Sequence, residues 1–273
     1  MGDQHLALAL TLTIGSGPIA LVQNGAIQET VFSTAGSNPI PATLPVASTA
    51  GNCLVAFFAT GAANAVPVNL TMPTGWLDIG PAMDTTFNAF IDVQIYPNNP
   101  GGILSILPSL GVGAAGARWW SHMSEWSGVT SDTSQDVNGR PNAVDNTDAG
   151  VPIGQRAVDS EVAGTTTAPS DLPGQHLLIF QSSGDLFLAA WVQQIGASAA
   201  VTFTSPPGFT RLADNSSLAR TSHLSIDYQL NPRAGVPHNP RLTSNTTTVS
   251  SAALWFALKR GTPTTDVTPF LAY

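Results

Sequence analysis

Apolar and polar residues alternate along much of this chain with period two, the repeat of a β-strand whose two faces meet different surroundings. Leu6-Ala7-Leu8-Ala9-Leu10-Thr11-Leu12-Thr13-Ile14 keeps the alternation over nine positions, and Gly15-Ser16-Gly17-Pro18 then turns the chain. Ile19 to Gln23 can return as a second strand that ends at Asn24-Gly25, a hairpin signal. Ile91, Val93 and Ile95 fall on one face of a later strand, and Asp92 and Gln94 fall on the other. That pattern predicts an antiparallel strand with one face buried and one face wet. No segment holds the 3.6-residue period of an amphipathic helix. Short strands separated by Gly, Pro and Asn predict an all-β chain of sandwich or jelly-roll type.

The pattern occurs twice. Ile91-Asp92-Val93-Gln94-Ile95-Tyr96-Pro97 reads against Ile226-Asp227-Tyr228-Gln229-Leu230-Asn231-Pro232. Pro73-Thr74-Gly75-Trp76 precedes the first copy, and Pro206-Pro207-Gly208-Phe209 precedes the second. Upstream, Gly51-Asn52-Cys53-Leu54-Val55-Ala56-Phe57 matches Gly174-Gln175-His176-Leu177-Leu178-Ile179-Phe180. Each copy closes on an aromatic stretch, Trp119 to Gly128 and Leu254 to Gly261. Four landmarks in one order predict a repeated module of about 100 residues, the size of a domain. The organisation expected is an N-terminal β-hairpin arm over 1–27, module one over 28–130, a polar linker over 131–167, module two over 168–261 and a tail over 262–273. The arm has no evident counterpart ahead of module two.

The 273 residues suffice for two such domains, each with its own core. Charged residues are only 10% of the chain against 43% apolar, and the net charge is −8. Lys259 is the only lysine and the arginines are scattered, which excludes the clustered cations that nucleic acid requires. One cysteine, Cys53, excludes an internal disulfide and reads as a small buried hydrophobe. The N-terminal residues lack a basic region and a cleavage site, so no signal peptide is expected, and no apolar run spans a membrane.

Candidate chemistry is sparse. Ser134 to Asp145 resembles the start of a calcium loop with glycine at the sixth place, Gly139, but it lacks the first Asp and the terminal Glu. Ser121, His122 and Glu125 contain the residue types of a hydrolase, yet on a strand positions 122 and 125 point to opposite faces. No glycine-serine-glycine elbow accompanies them. The dispersed histidines lack zinc spacing. Asp92 and Asp227 form no glycosidase pair, because they are equivalent positions of two modules. No catalytic residue, metal site or cofactor is expected. Trp119, Trp120, Trp126 and Trp191 each belong to one module only, so they are the aromatics to test for ligand binding, with core packing as the alternative.

The order G-x-x-L-[VL]-x-F, P-x-G-[WF], alternating strand and aromatic strand closing on Gly resembles a β-sandwich module of minor tail and other virion proteins of tailed phages, particularly those infecting GC-rich actinobacteria. The resemblance covers both modules and carries turn glycines and core aromatics, not catalytic residues. It implies a fold of two tandem β-sandwich (jelly-roll-like) domains with an N-terminal β-arm. It also implies a non-enzymatic virion structural protein, a minor tail protein assembled in the host cytoplasm with other virion proteins and further copies of itself. Capsid decoration is the alternative within that class, and binding of host cell-wall glycan is the alternative outside it. The alternating Leu6, Leu8, Leu10 and Leu12 of the arm, with Phe270, Leu271 and Tyr273 of the tail, are the expected assembly interface.

Overall fold

The computed structural model describes residues 13–14, 17–31, 41–61, 70–84, 89–110, 118–131, 133, 144–145, 156–159, 170–172, 178–179, 185–233, 237–238, 240, 242–246, 250–261 and 264–265. Among them every regular element is a strand, every pairing is antiparallel, and no helix occurs. The first half contains β1 (Thr13–Ile14), β2 (Ala20–Asn24), β3 (Gln28–Val31), β4 (Ala42–Thr43), β5 (Cys53–Gly61) and β6 (Leu70–Thr71), followed by β7 (Leu77–Asp84), β8 (Ala89–Tyr96), β9 (Ser105–Ile106), β10 (Ser109–Leu110) and β11 (Arg118–Ser127). The second half contains β12 (Val144–Asp145), β13 (Arg156–Asp159), β14 (Ser170–Leu172), β15 (Leu178–Ile179), β16 (Leu186–Ala199) and β17 (Phe203–Thr204). It continues through β18 (Thr210–Asp214), β19 (Arg220–Leu230), β20 (Pro237–His238), β21 (Leu242–Ser244), β22 (Ser250–Leu258) and β23 (Thr264–Thr265).

Each half builds one large six-stranded sheet on the same path. The first runs β2-β11-β5-β8-β7 with β3 also on β11; the second runs β12-β22-β16-β19-β18 with β13 also on β22. The smaller ladders correspond as well: β4 pairs β9 as β15 pairs β20, and β6 pairs β10 as β17 pairs β21. Gly75 and Gly208 occupy the same turn before the fourth large-sheet strand of each half, with φ of 98° and 82°. A left-handed backbone there is the reason both copies keep glycine.

The two large sheets face each other and share one apolar layer. Val55, Phe57, Ile91 and Val93 of the first pack in the same cluster as Leu188, Val192, Ile226 and Phe256 of the second. Phe57 and Phe256 meet with ring centroids 6.4 Å apart, and Trp126 meets Tyr228 edge-on at 5.2 Å. The far face of each sheet has its own cover. In the first half Leu44 and Ile106 pack with Leu54, Phe58 and Met123; in the second Phe203 and Leu242 pack with Phe187, Trp191 and Trp255. The central strands are therefore buried on both faces, as the apolar run from Cys53 to Ala59 requires. At one end the halves also join by backbone. Thr130 N donates to Lys259 O and Gly261 N donates to Gly128 O, both at 2.9 Å, around the bridge Val129–Arg260. That exchange is the pattern of an antiparallel bridge between the two halves.

Several expectations change. The expected wet face of β8 and β19 is mostly buried: Asp92 and Gln94 are 4% and 3% exposed and Asp227 is 0% exposed, while Gln229 is half-buried. The strand match also slips by two residues. The bulge in β7 sets Asp78 against Gln94, and the equivalent bulge in β18 sets Arg211 against Asp227, so Asp227 stands where Gln94 stands. A two-residue slip keeps every side chain on its face, which hides it from the alternation pattern. The counterpart of β5 is β16, not the stretch Gly174 to Phe180. Leu178–Ile179 pairs with β20 in the outer layer instead.

The stretch called an arm is in part a sheet edge. β2 and β3 lie end to end along β11, and Asn24-Gly25 is the joint between them rather than a hairpin. Gly25 N donates to Met123 O at 2.8 Å, and a Cβ on Gly25 would collide with Thr43 O. Glycine is there because two other backbones approach it. β12 and β13, within the stretch expected to be a linker, take the same place along β22, so the second half does have a counterpart. Leu6, Leu8, Leu10 and Leu12 lie outside the described residues, as do most of 131–167 and Phe270, Leu271 and Tyr273.

A shared layer predicts one cooperative unfolding transition, measured by scanning calorimetry. Phe256→Ala should lower the stability of both halves together by about 3–5 kcal/mol. A single cut in the polar stretch 131–167 should leave two fragments that still co-elute in gel filtration. Fragments that separate without denaturant would show that the two sheets do not depend on one another.

Candidate functional site

The described polar groups collect where chain segments must be tied to the large sheets. β11 shows this most clearly. Alternate residues of this strand face opposite layers: Trp120 and Trp126 enter the central layer, and Met123 enters the outer one. His122 shares the central face and lies 6.0 Å from the Phe57 ring. Its Nε2 lies 2.7 Å from Asn24 Oδ1, and Asn24 Nδ2 donates to Leu212 O at 2.7 Å. An amide oxygen can only accept, so Nε2 carries the proton of the neutral ring. One imidazole and one amide thus link β11, β2 and the second half. Complete burial pushes the His122 pKa down to about 3, against a smaller upward effect from Gly25.

Glu125 lies on the opposite face. Its Oε1 accepts from Thr49 N at 2.8 Å and from Asn52 Nδ2 at 2.6 Å, while Oε2 accepts from Gln23 Nε2. The carboxylate ties β2 and the loop before β5 to β11. Ser121 Oγ is occupied as well, donating to Pro41 O at 2.6 Å. Ser121, His122 and Glu125 therefore have three separate sets of partners, and the sheet stands between the imidazole and the carboxylate.

The equivalent joints of β8 and β19 are solved differently. In the first half Gln94 Nε2 donates to Asp78 at 2.9 Å and to Asp92 at 3.2 Å. Burial, reinforced by the neighbouring Asp78 charge, raises the Asp92 pKa to about 7. In the second half Arg211 Nε donates to Asp227, its Nη1 to Asp214 at 2.6 Å and its Nη2 to Ser205 Oγ at 3.1 Å. Burial raises the Asp227 carboxyl despite the opposing Arg211 charge. Asp214 is also pushed up by burial, but Ser216 and Arg211 donate to it and hold it below the usual carboxylate range.

An open groove of about 520 Å³ lies where the β2–β3 edge of one sheet faces the β18 edge of the other. Asn24, Glu29, Asp214, Asn215 and Leu218 line it. Glu29 is held by Arg118 and by Arg220 at 3.3 Å, and Asp214 by Arg211, so each carboxylate already has a cation. Ser217 also lines the groove, and Ser216 Oγ donates to Asp214 Oδ1 at 2.6 Å.

The aromatics singled out from sequence are core. Trp119 is 1% exposed, and Trp120, Trp126 and Trp191 are 0% exposed. Trp126 Nε1 donates to Ser124 Oγ at 2.9 Å within the central layer. Cys53 is buried too, and burial raises its thiol pKa far above the ordinary value. Asp145, the last position of the calcium-like segment, lies opposite Ala257 in the sheet, while 134–143 lie outside the described residues. Among the described residues no cluster of three or more His, Cys, Asp or Glu side chains could hold a metal. Sequence reasoning missed Asn24, whose place beside a glycine suggested a turn and not a bridge between sheets. Comparison with protein-family models, with curated proteins and with solved structures finds no match to this chain.

His122 and Asp92 predict opposite pH dependences over the same range. A histidine lowered from 6.5 to about 3 contributes stability above pH 6.5 that is lost as the pH falls toward 3. An aspartate raised from 3.8 to about 7 contributes stability below pH 3.8 that is lost as the pH rises through 7. Denaturation from pH 4 to 8 should therefore be steeper on the acid side in Asp92→Asn than in the wild type. His122→Gln should show the reverse tilt. Parallel profiles for the wild type and both variants would remove these two groups from the account.

Proposed function

We propose that this chain is a non-enzymatic structural protein of a tailed-phage virion, a minor tail protein. We read each half as a sandwich-like unit, a large sheet with its outer cover, and the two units as joined back to back. An N-terminal arm and a C-terminal tail would extend from this body and bind neighbouring subunits. The observation that carries the reading is the internal use of nearly every group that sequence offered as chemistry. His122 and Glu125 tie strands together, Asp92 and Asp227 sit under the covers, and the four candidate tryptophans fill the layers.

The termini support the same reading. β1 pairs with β23, Thr13 opposite Thr265 and Ile14 opposite Thr264. This pairing sets residues 13–14 beside residues 264–265, the described positions nearest the two expected assembly segments. An apolar segment presented there can add to a neighbour's sheet. Trp119, Trp120, Trp126 and Trp191 are buried, which favours core packing over glycan stacking for these four.

Quantitative mass spectrometry of purified particles tests the proposal. Peptides of this chain should copurify with tails at a fixed copy number. Recovery with capsids would favour the decoration alternative, and absence from particles would end both. A truncation that removes only residues 1–12 should keep the wild-type melting temperature and fail to enter particles. Removal through residue 23 should destabilise the fold, because it deletes most of β2 and the Gln23 contact to Glu125.

A further inference from the structure

The bulge in β7 divides that edge strand into two parts. Leu77 and Asp78 pair with Ile95 and Gln94 before it, and Gly80 to Asp84 pair with Val93 to Ala89 after it. A ladder bends and loses pairing at a bulge, so the entry of β7 is held on β8 by those first pairs. The turn 73–76 ahead of the entry rests on Tyr96. A Cβ on Gly75 would collide with the Tyr96 ring, and the Trp76 and Tyr96 rings have centroids 5.7 Å apart. One side chain spans the bulge. Gln94 Nε2 donates to Asp78 Oδ1 at 2.9 Å on the entry side, and to Oδ1 of Asp92, which stands opposite Pro81 beyond the bulge, at 3.2 Å. Asp78 is exposed, whereas Asp92 and Gln94 are buried.

Two carboxyls on one amide oppose each other's ionisation, and a proton between them removes the conflict. Among the described residues no cation relieves the pair. Residues 30–77 and 93–117, which supply β5 and the cover of the first half, contain no Asp, Glu, Lys, Arg or His. On β5 the neighbours of Asp92 and Gln94 are Phe58 and Ala56. On β8 itself the same face carries Phe90 and Tyr96. On β11 that face carries Glu125, which is engaged by Gln23, Thr49 and Asn52. Arg118, at the start of β11, is held by Glu29. In β7 Asp84 stands opposite Ala89, a residue of the central layer. The second half supplies the contrast. Its bulge in β18 sets Arg211 where Asp78 stands, and Arg211 donates to Asp227, so a carboxylate there meets a guanidinium.

We propose that Asp78, Gln94 and Asp92 form a proton-dependent latch, which keeps the entry of β7 on β8 while the carboxyl pair holds a proton and frees it when that proton is lost. Asp92 lies on an interior strand under close packing, so the repulsion is relieved by Asp78, which already reaches solvent. The bulge is the hinge, and the turn 73–76 moves with the entry. Opening bares the backbone of Gln94 and Ile95 on the edge of β8. The sign follows from linkage. The Asp92 carboxyl is raised to about 7 in the closed state by burial and the Asp78 charge, and returns to its ordinary 3.8 once exposed to water. The latch is therefore strongest below pH 3.8, weakens as the pH rises through 7, and changes no further above it. The movement is local to β7 and does not depend on the role proposed for the chain.

Amide hydrogen exchange of the full chain from pH 5 to 8, corrected for the intrinsic exchange rate, tests this directly. Protection of residues 77–79 should fall about tenfold per pH unit between 5 and 7 and level off above 7. The edge strand β2, whose opening leaves Asp92 covered, should keep constant protection over the same range. Asp92→Asn preserves the shape of the side chain and should flatten the response at 77–79. Asp78→Asn removes the second charge and should make the response shallower. Flat protection at 77–79 in the wild type overturns the latch. An equal loss of protection in β2 assigns the effect to unfolding of the whole body and overturns it too. A wild-type slope retained in Asp78→Asn would mean that burial of Asp92 acts alone, with no pair. Carbon NMR of the Asp92 carboxyl in the wild type decides the case without any variant: titration in the ordinary aspartate range defeats the proposal.

Discussion

The apolar layer between the two large sheets is the constraint on which the rest of this molecule depends. A sheet with one face in water can stand alone, but these sheets have no such face. Phe57, Val93, Ile226 and Phe256 are buried together in the layer that the two sheets share. Burial of side chains of this size is worth about 1.5–3 kcal/mol each, and half of the layer comes from each half of the chain. The central strands are consequently apolar on both sides, and the small ladders outside them act as lids. One half could cover its outer face unaided, but its inner face needs the other half.

Polar residues within this body are placed where a layer would otherwise lose alignment. Asn24 reaches from β2 to Leu212 of the second half while its oxygen meets His122, so a break in the apolar seam is filled by directional bonds. Glu125 does the same on the outer side with Gln23, Thr49 and Asn52. Such groups are expensive to bury and costly to leave unpaired, and for that reason they specify one arrangement of the strands. The two halves answer the same problem in different chemistry. At the equivalent bulge the first half uses Asp78 with Gln94, and the second uses Arg211 with Asp227. In both halves burial raises a carboxyl, Asp92 in the first and Asp227 in the second, where the Arg211 charge opposes the rise.

The distribution of charge connects this architecture to the proposed role. Charged residues are few, and acids outnumber bases 17 to 9. Chains that work in arrays gain from surfaces that can be stacked without desolvating ions. Several of the described charges pair across strands: Glu29 with Arg118 and Arg220, and Arg211 with Asp214 and Asp227. There they align strands and mark open edges as unsuitable for unplanned pairing.

Local pattern settled much of this fold before any tertiary contact was known. Period-two alternation and the absence of a helical period determined an all-β chain, and the recurring landmarks, Gly75 and Gly208 above all, determined that its halves follow one path. Those features are legible because strand geometry and positive-φ turns act over a few residues. The sequence also placed His122 and Glu125 on opposite faces, and the structure keeps them there. Which faces are wet was decided only by tertiary structure. Alternating Asp92 and Gln94 look alike whether water or a polar cover lies above them, since period two distinguishes two faces without naming what each one meets. The joint at Gly25 was hidden for a similar reason. Asn-Gly reports permissive local geometry, whereas the crowding by Thr43 and Met123 comes from strands far away in the chain. The back-to-back packing of the halves was beyond local pattern altogether. It depends on two apolar faces being complementary over their full area, a property that exists only once both sheets are built.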